Sequence, residues 1–394
     1  MMPALDVLLT TASVPFAVAG AYLATLALAA RHTLPPHPSH AHRFDVIVPG
    51  HDEEQGIGAT LTSLRMLDYP PERYRVIVVA DNCADATAAR ARDAGAFVLE
   101  RRDPSRRGKG YALAHAFEAS LADGFADAIA VVDADSSVSP NLLTAISARL
   151  ERGTQCVQAE YGIRNPDASW RTRLMAVAFA LYHTLRSLGR ERLGFSCGLR
   201  GNGMAFSTAL LRRVPLRAFS PVEDVEYGLM LGLHGVRVGY VAEATVLGDM
   251  PRAGAGARLQ RDRWERGRRS LRREYVPSLL RASVCRRDRI PLELAADLMI
   301  PPLTRLTSIV ATGTTAVLAL YSHAYVSAVS AAGWSVAAAG VLVYVWRGWL
   351  LSGASARGLL DLVWVPVYIA WKLSLVFSPS RAAHGEWVRT KRTV

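Results

Sequence analysis

The sequence predicts an α/β catalytic domain with a Rossmann-like, doubly wound and mostly parallel sheet, joined to transmembrane and interfacial α-helices. Three observations carry this. Short β-branched runs alternate with amphipathic helical segments between Phe44 and Val132. Acidic residues follow the strand ends, the edge at which open α/β sheets bind their ligands. Apolar runs of membrane-spanning length flank the domain on both sides.

Val7 to Ala30 is uncharged and long enough to cross a bilayer. Ala27-Leu28-Ala29 has the look of a cleavage site, but no basic residue precedes the run and it is long for a signal-peptide core, so an uncleaved anchor over 1–32 is expected. Residues 33–43, rich in Pro and His, read as a linker. The globular domain, 44–290, opens with a strand from Phe44 to Val48, the loop Pro49-Gly50-His51-Asp52-Glu53-Glu54 and a helix from Ile57 to Leu67. A second strand, Arg75 to Val79, leads into Asp81-Asn82-Cys83-Ala84-Asp85 and a helix to Ala94. Ala96 to Glu100 is a third strand, Tyr111 to Ala122 a helix, and Ala128 to Val132 a fourth strand ending in Asp133-Ala134-Asp135. Trp170 to Leu193 has helical spacing that fits a core helix or one on the membrane surface, and its arginines Arg171, Arg173, Arg186, Arg190 and Arg192 favour the surface. At Ser220-Pro221-Val222-Glu223-Asp224 a helix start is expected, with Ser220 as N-cap and Glu223 closing a capping box.

The C-terminal part, 291–378, supplies more membrane helices. Leu298 to Trp346 holds two spans divided near Ser322-His323. Leu359 to Phe377 carries Asp361, Pro366 and Lys372, so an interfacial or re-entrant course is expected, with a cytoplasmic tail over 379–394. The formal charge of +12 is concentrated: from Arg252 to Arg289 thirteen arginines stand against Asp262, Glu265, Glu274 and Asp288. Positive-inside bias puts this stretch and the catalytic domain on the cytoplasmic side of an inner or plasma membrane. Anionic lipid or a diphosphate suits it, and nucleic acid is not an expected partner, because no aromatic-interleaved or helix-turn-helix pattern accompanies it. Four cysteines without metal-like spacing fit a reduced compartment.

Asp133-Ala134-Asp135 suits a divalent cation shared with a substrate phosphate, since Mg²⁺ or Mn²⁺ needs only one or two protein carboxylates; the alternative is a polar strand end capping a turn. Asp81 stands where a carboxylate often holds a base or ribose, or else makes an Asx-turn. In Arg107-Gly108-Lys109-Gly110 the glycines allow close approach and the lysine suits a phosphate, with a plain basic turn as alternative. The glycines of Gly198-Leu199-Arg200-Gly201-Asn202-Gly203 would let an acceptor near the backbone. Capping accounts for Glu223 but not for Asp224, a carboxylate at a helix start that is placed to be a general base.

In this order, Asp81, Asp133-Ala134-Asp135, Glu223-Asp224 and Gln260-x-x-Arg263-Trp264 resemble the motif set of the membrane-bound family-2 glycosyltransferases: cellulose, chitin, hyaluronan and poly-N-acetylglucosamine synthases, with a related set in ceramide glucosyltransferases. The resemblance covers about Phe44 to Arg273. It implies a GT-A-type fold, a UDP-sugar donor and a single inverting displacement. Pro49, Glu53, Asp81, Lys109, Asp133, Gln260, Arg263 and Trp264 would then contact the nucleotide sugar, and Asp133 and Asp135 would hold Mg²⁺ or Mn²⁺. Asp224 would be the base, while Gly201, Asn202, Gly203, Glu223 and Trp264 would face a glycan or lipid-linked acceptor. Two places depart from the pattern: Asp52 stands where Asn usually precedes Glu, and Gly201-Asn202-Gly203 replaces a Phe-Cys-Gly-Ser-like loop.

The resemblance implies a hexosyltransferase of exopolysaccharide or glycolipid biosynthesis, with membrane lipid and export-complex subunits as further partners. A sugar-phosphate nucleotidyltransferase would need a Gly-rich, basic triphosphate loop after the first strand, which is missing. A non-catalytic membrane subunit of an export complex would have lost one of the acids, and two-carboxylate glycosidase chemistry leaves Lys109 unused. Three spans are too few to enclose a polymer channel alone. The tail Trp387 to Arg392 is similar to a Trp-x-Thr-Arg-like tail in some of these synthases and is expected to reach the active site.

Overall fold

The computed structural model describes residues 2–250 and 255–353, with side chains from 3 to 250 and 263 to 353. The expectations for Leu359 to Phe377 and for the tail lie outside the described residues.

After α1 (Met2–Ala29), strands and helices alternate: β1 (Phe44–Gly50), α2 (Ile57–Arg65), β2 (Tyr74–Asp81), α3 (Thr87–Asp93), β3 (Phe97–Arg101), α4 (Lys109–Asp123) and β4 (Ala128–Val131). β1 pairs in parallel with both β2 and β4, and β2 with β3. Strands buried on both faces read as continuous apolar runs, and Val46, Ile47 and Val48 of β1 are accordingly fully buried. Parallel pairing also brings the C-terminal ends of β1, β2 and β4 to one edge, so the Pro49–Glu54 loop, Asp81 and Asp133 become neighbours.

The second half runs β5 (Ser136–Val138), α5 (Leu142–Glu151), β6 (Cys156–Ile163), α6 (Trp170–Phe179), a π-helical turn (Ala180–Leu185), α7 (Arg186–Arg192), β7 (Met204–Ser207), α8 (Thr208–Arg213), α9 (Glu223–Leu233) and β8 (Val238–Gly248). The sheet order is β3-β2-β1-β4-β7-β6-β8-β5. Here the expected parallel arrangement gives way to a mixed one: β7 is antiparallel to β4 and β6, and β5 to β8. The cause is local. Gly198, Gly201 and Gly203 adopt positive φ, which turns the chain at the ligand edge so that β7 enters the sheet from that side.

Two expectations fail in this half. The second half of Trp170 to Leu193 does not lie on a surface: Arg186 and Arg190 are 5% and 1% exposed, and a Cβ on Gly189 would stand 2.4 Å from the Leu26 carbonyl oxygen, so α7 lies directly on α1, while Arg171 and Arg173 are part-exposed and Arg192 exposed. These arginines are buried because acids a hundred residues later neutralise them, Arg190 pairing with Asp297 at 3.1 Å and with Glu293. Ser220 is also not an N-cap. Helix α9 starts at Glu223, with Val222 in the cap position and no side-chain cap; instead Glu226 accepts the Ser220 N–H at 2.9 Å. Pro221 and Val222 occupy a turn ahead of the helix, which puts Ser220 too early to cap it.

The chain continues through α10 (Ala255–Arg286), α11 (Arg289–Met299), α12 (Leu303–Ser322) and α13 (Ala328–Leu351). Leu271, Leu279, Leu294 and Leu298 of α10 and α11 pack on Val222 and Leu229 at α9. Leu298 therefore belongs to this packing and not to a membrane span. Among the described residues three helices are long and apolar enough to cross a membrane: Pro3–Ala29, Leu303–Ser322 and Ala328–Leu351. α1 and α13 run side by side in the same direction, Asp6 accepting from the Ser327 N–H at 2.8 Å at one end and Arg347 donating to the Ala30 carbonyl at 3.2 Å at the other. They touch at backbone level, since a Cβ on Gly340 would lie 2.4 Å from Gly20. One apolar core runs from Leu23 and Ala27 of α1 and Val341 of α13 through Leu185 and Leu188 to Ile129 and Phe206 in the sheet.

Candidate active site

At the end of β2, Asp81 is fully buried and one of its oxygens accepts from Arg101 at 2.6 Å. The other, Oδ2, has no hydrogen-bond partner among the described residues. A buried, unpaired carboxylate oxygen is costly, and an N–H or O–H donor on a ligand would satisfy it. The loop beside it is tied to the β1 loop. Asp52 adopts a left-handed conformation (φ 56°), which Asp and Asn tolerate best among residues with a Cβ. Its Oδ1 accepts the Ala84 N–H at 2.7 Å, while the Glu53 N–H donates to Thr87 Oγ1 at 2.8 Å. Asp52 thus does the tying that an Asn at that place could also do. Pro49 is buried within β1.

Asp133 and Asp135 leave the end of β4 on either side of the buried Ala134. Asp133 is about one-third exposed and its carboxylate meets the Lys109 ammonium. Two hard oxygen donors at an open strand end fit Mg²⁺ or Mn²⁺, which complete their shells with water and phosphate oxygens. Asp52, Cys83 and Asp85 also lie within metal-ligating distance of one another, but backbone N–H groups already occupy the carboxylates: Asp52 serves Ala84, and Asp85 serves Glu54 and Thr87.

Lys109 is not the mobile cation its flanking glycines suggest. It is held between Asp133 and the Gly201 carbonyl. Burial works to lower its pKa, but Asp133 and Glu223 outweigh that and the net shift is upward, so it stays charged. Gly110 serves packing: a Cβ there would stand 2.2 Å from the Ala218 carbonyl oxygen, so its absence lets α4 press against the segment leading into α9. That contact brings Lys109 to Glu223 and Asp224. A Cβ on Gly201 would meet Asp224 Oδ2 at 3.1 Å and Lys109 Nζ at 3.6 Å. Burial pushes Asp224 up, opposed by the Val225 N–H and by Lys109. Glu223 is pushed up by burial and by the neighbouring Asp224. A carboxylate kept easy to protonate beside a fixed cation can accept and release a proton.

The glycine loop faces inward more than the sequence suggests. Gly201, Asn202 and Gly203 are all buried. Asn202 accepts the Asp133 N–H at 3.1 Å and donates to Ser136 Oγ at 2.8 Å, so its side chain braces the Asp133–Asp135 turn instead of facing an acceptor. A Cβ on Gly203 would lie 2.9 Å from Val246, so this glycine serves packing. On α10, Arg263 Nε is buried without a partner among the described residues, and Trp264 is 36% exposed. Gln260 lies on the same helix, its side chain outside what is described.

Arg101, Gln158, Tyr182 and Arg200 have no role that the sequence alone assigns. Arg101 had a signal, since it ends the strand paired in register with Asp81. The other three come from β6, the π-helical turn and the glycine loop, which no local pattern connects.

Known proteins resemble the chain. The beta-monoglucosyldiacylglycerol synthase of Synechocystis sp. is 28% identical over 231 residues, 56% of this chain and 47% of that protein. A probable glucomannan 4-beta-mannosyltransferase 1 of Arabidopsis thaliana is 24% identical over 245 residues, 59% of this chain and 44% of that protein. The chain spans about half the length of these two curated relatives. In fold it is similar to the mannosyltransferase PcManGT from Pyrobaculum calidifontis, solved with GDP-Man and Mn²⁺, at a TM-score of 0.53 and 20% identity, covering 88% of this chain and 99% of that one. Residues 41–267, more than half of the chain, match the model of the glycosyltransferase like family 2, and the chain belongs to that family.

Proposed function

We propose that the protein is an inverting membrane glycosyltransferase that moves a sugar from a UDP-sugar to a hydroxyl of a glycan or lipid-linked acceptor, on the cytoplasmic face of the inner or plasma membrane. One observation carries this: Asp224 and Lys109 converge on Gly201 while Lys109 also reaches Asp133. A carboxylate fit to take a proton and a carboxylate that would hold the divalent cation of a diphosphate therefore border the same small space, as in-line displacement requires.

In this reading Asp224 takes the proton of the acceptor hydroxyl as its oxygen attacks the anomeric carbon, and UDP leaves on the opposite face, so the configuration inverts. Asp81 Oδ2 accepts from the base or ribose, and the unpartnered Arg263 N–H meets the diphosphate. Asp133 and Asp135 would hold Mg²⁺ or Mn²⁺, which when bound neutralises charge on the departing diphosphate. Trp264, part-exposed, offers a face for a sugar ring. A lipid-borne acceptor is favoured by the three apolar helices packed against the catalytic core, and a relative is named for a glucosylated diacylglycerol.

The test uses the full chain in detergent micelles. UDP release is measured from UDP-glucose, UDP-GlcNAc, UDP-galactose and UDP-glucuronate, with GDP-mannose for comparison, each with dioleoylglycerol or a soluble oligosaccharide as acceptor. Metal-dependent release with one UDP-sugar is expected. Formation of a nucleotide sugar from UTP and a sugar phosphate would replace this reading with a nucleotidyltransferase.

A further inference from the structure

We propose that Tyr182, on the π-helical turn, is a positioning residue that ties the loop Gly198–Gly203 to the membrane helices through Arg200, Arg268 and Asp297. The inference rests on the proposed function, because it assigns that loop to the acceptor side of the same site.

The tie is continuous. Arg200 donates to the Tyr182 hydroxyl at 3.1 Å and its guanidinium lies 4.3 Å from the ring centroid. Arg268 donates to the same hydroxyl at 2.6 Å and to the Asp297 carbonyl at 2.9 Å. Asp297 accepts from the Tyr22 hydroxyl of α1 at 2.9 Å and pairs with Arg190 at 3.1 Å. In the other direction, the Arg200 N–H donates to Gln158 Oε1 at 2.8 Å, Gln158 donates to the Asn202 carbonyl at 2.6 Å, and Asn202 accepts from the Asp133 N–H. One chain of hydrogen bonds thus runs from the first apolar helix to the Asp133 backbone at the end of β4.

Three features set this apart from ordinary packing. Tyr182, His183 and Thr184 are consecutive, yet Tyr182 meets Arg200, His183 meets the Tyr161 ring edge-on, and Thr184 donates to Glu160, all toward the sheet. A π-helical turn advances less per residue than an α-helix and so keeps three neighbours on one side; such turns are frequent at functional sites. Burial alone would raise the Tyr182 pKa, but Arg200 and Arg268 reverse the shift to downward, so both cations bear on this phenol. The cavity beside the cluster, bounded by Tyr182, Arg200, Arg268 and Asp297, measures about 30 Å³. That is room for about one water, which leaves the side chains themselves as the connection.

A contact chain becomes a functional coupling only when breaking it moves the far end. Tyr182→Phe keeps the ring under Arg200 and removes only the hydroxyl. Asp297→Asn keeps the shape and weakens the membrane end. In full-length protein in dodecylmaltoside micelles, amide exchange at 199–203 is expected to quicken at least about tenfold in both variants, with β1 and β2 unchanged. For Tyr182→Phe, the KM for the better of dioleoylglycerol and the oligosaccharide should rise at least about fivefold, while donor hydrolysis by water and UDP–Mn²⁺ affinity stay within about twofold. Unchanged loop exchange in Tyr182→Phe, or faster exchange throughout the sheet, overturns the positioning role. A response to Tyr182→Phe without one to Asp297→Asn overturns the membrane connection. If the unmodified chain bound no UDP–Mn²⁺, the proposed function would fall, while the exchange comparison would still decide the tie.

Discussion

Asp81 and Asp224, assigned to the donor and acceptor sides of the proposed site, are held in opposite ways. Asp81 belongs to the parallel half of the sheet. It sits on a strand end, and its one partnered oxygen is anchored by Arg101 from the adjacent strand, twenty residues away. Asp224 belongs to the mixed half. It sits on the first turn of a helix, and its surroundings come from Lys109 of α4 and from Arg200 and Gly201 of the glycine loop, all remote in sequence. The first arrangement is local and rigid, suited to holding a ligand that does not change. The second joins several elements whose relative placement sets proton affinity and acceptor access, so the two halves should respond differently to perturbation.

The largest expected effect is at the mixed end. Asp224→Asn should lower turnover at least about 10²-fold while leaving UDP–Mn²⁺ affinity nearly unchanged, as expected for loss of a proton acceptor. Near-normal turnover would move the base elsewhere and dissolve the contrast. At the junction of the halves, excess chelator should abolish transfer and added Mg²⁺ or Mn²⁺ should restore it; full activity in chelator would remove the metal role from Asp133 and Asp135. At the parallel end, Asp81→Asn should weaken UDP binding about 10- to 100-fold, the loss typical of one charged hydrogen bond, with a much smaller fall in saturated turnover. Equal losses in affinity and turnover would show that the donor end is not merely a holder.

Proton affinity sharpens the comparison further. Burial raises the pKa of Asp224 and Glu223, so protonation begins at higher pH than for an ordinary carboxylate. A base must be ionised, so turnover should decline as pH falls toward these raised values, with the acid limb above the ordinary carboxylate range. Stability has the opposite sign. A raised carboxyl pKa favours the fold at low pH and costs stability as pH rises through the unfolded value toward the folded one. Glu223→Gln should move the acid limb downward, since the mutual repulsion is removed; an unmoved limb in a pH–rate profile would uncouple the pair. The smallest effect is expected at Ser220. Because it does not cap α9, Ser220→Ala should cost less than about 0.5 kcal/mol, against about 1 kcal/mol for a true N-cap. Chemical denaturation of the two proteins measures it.

The sequence by itself determined the parallel half: short continuous apolar runs, helices between them and acids after the first, second and fourth strands specify which residues share an edge, because parallel pairing aligns strand ends automatically. It also determined the three long apolar helices, since length and lack of charge suffice for that. Tertiary structure alone decided the rest. Arg186 and Arg190 looked like surface charges until Glu293 and Asp297 folded against them, Ser220 looked like a cap until the turn at Pro221 moved the helix start, and Asn202 looked outward until Asp133 and Ser136 claimed its side chain. In each case the deciding partner is either far away in sequence or set by backbone geometry. A side chain's role is fixed by the charge, hydrogen bond or surface it meets after folding, and local periodicity carries no record of that meeting.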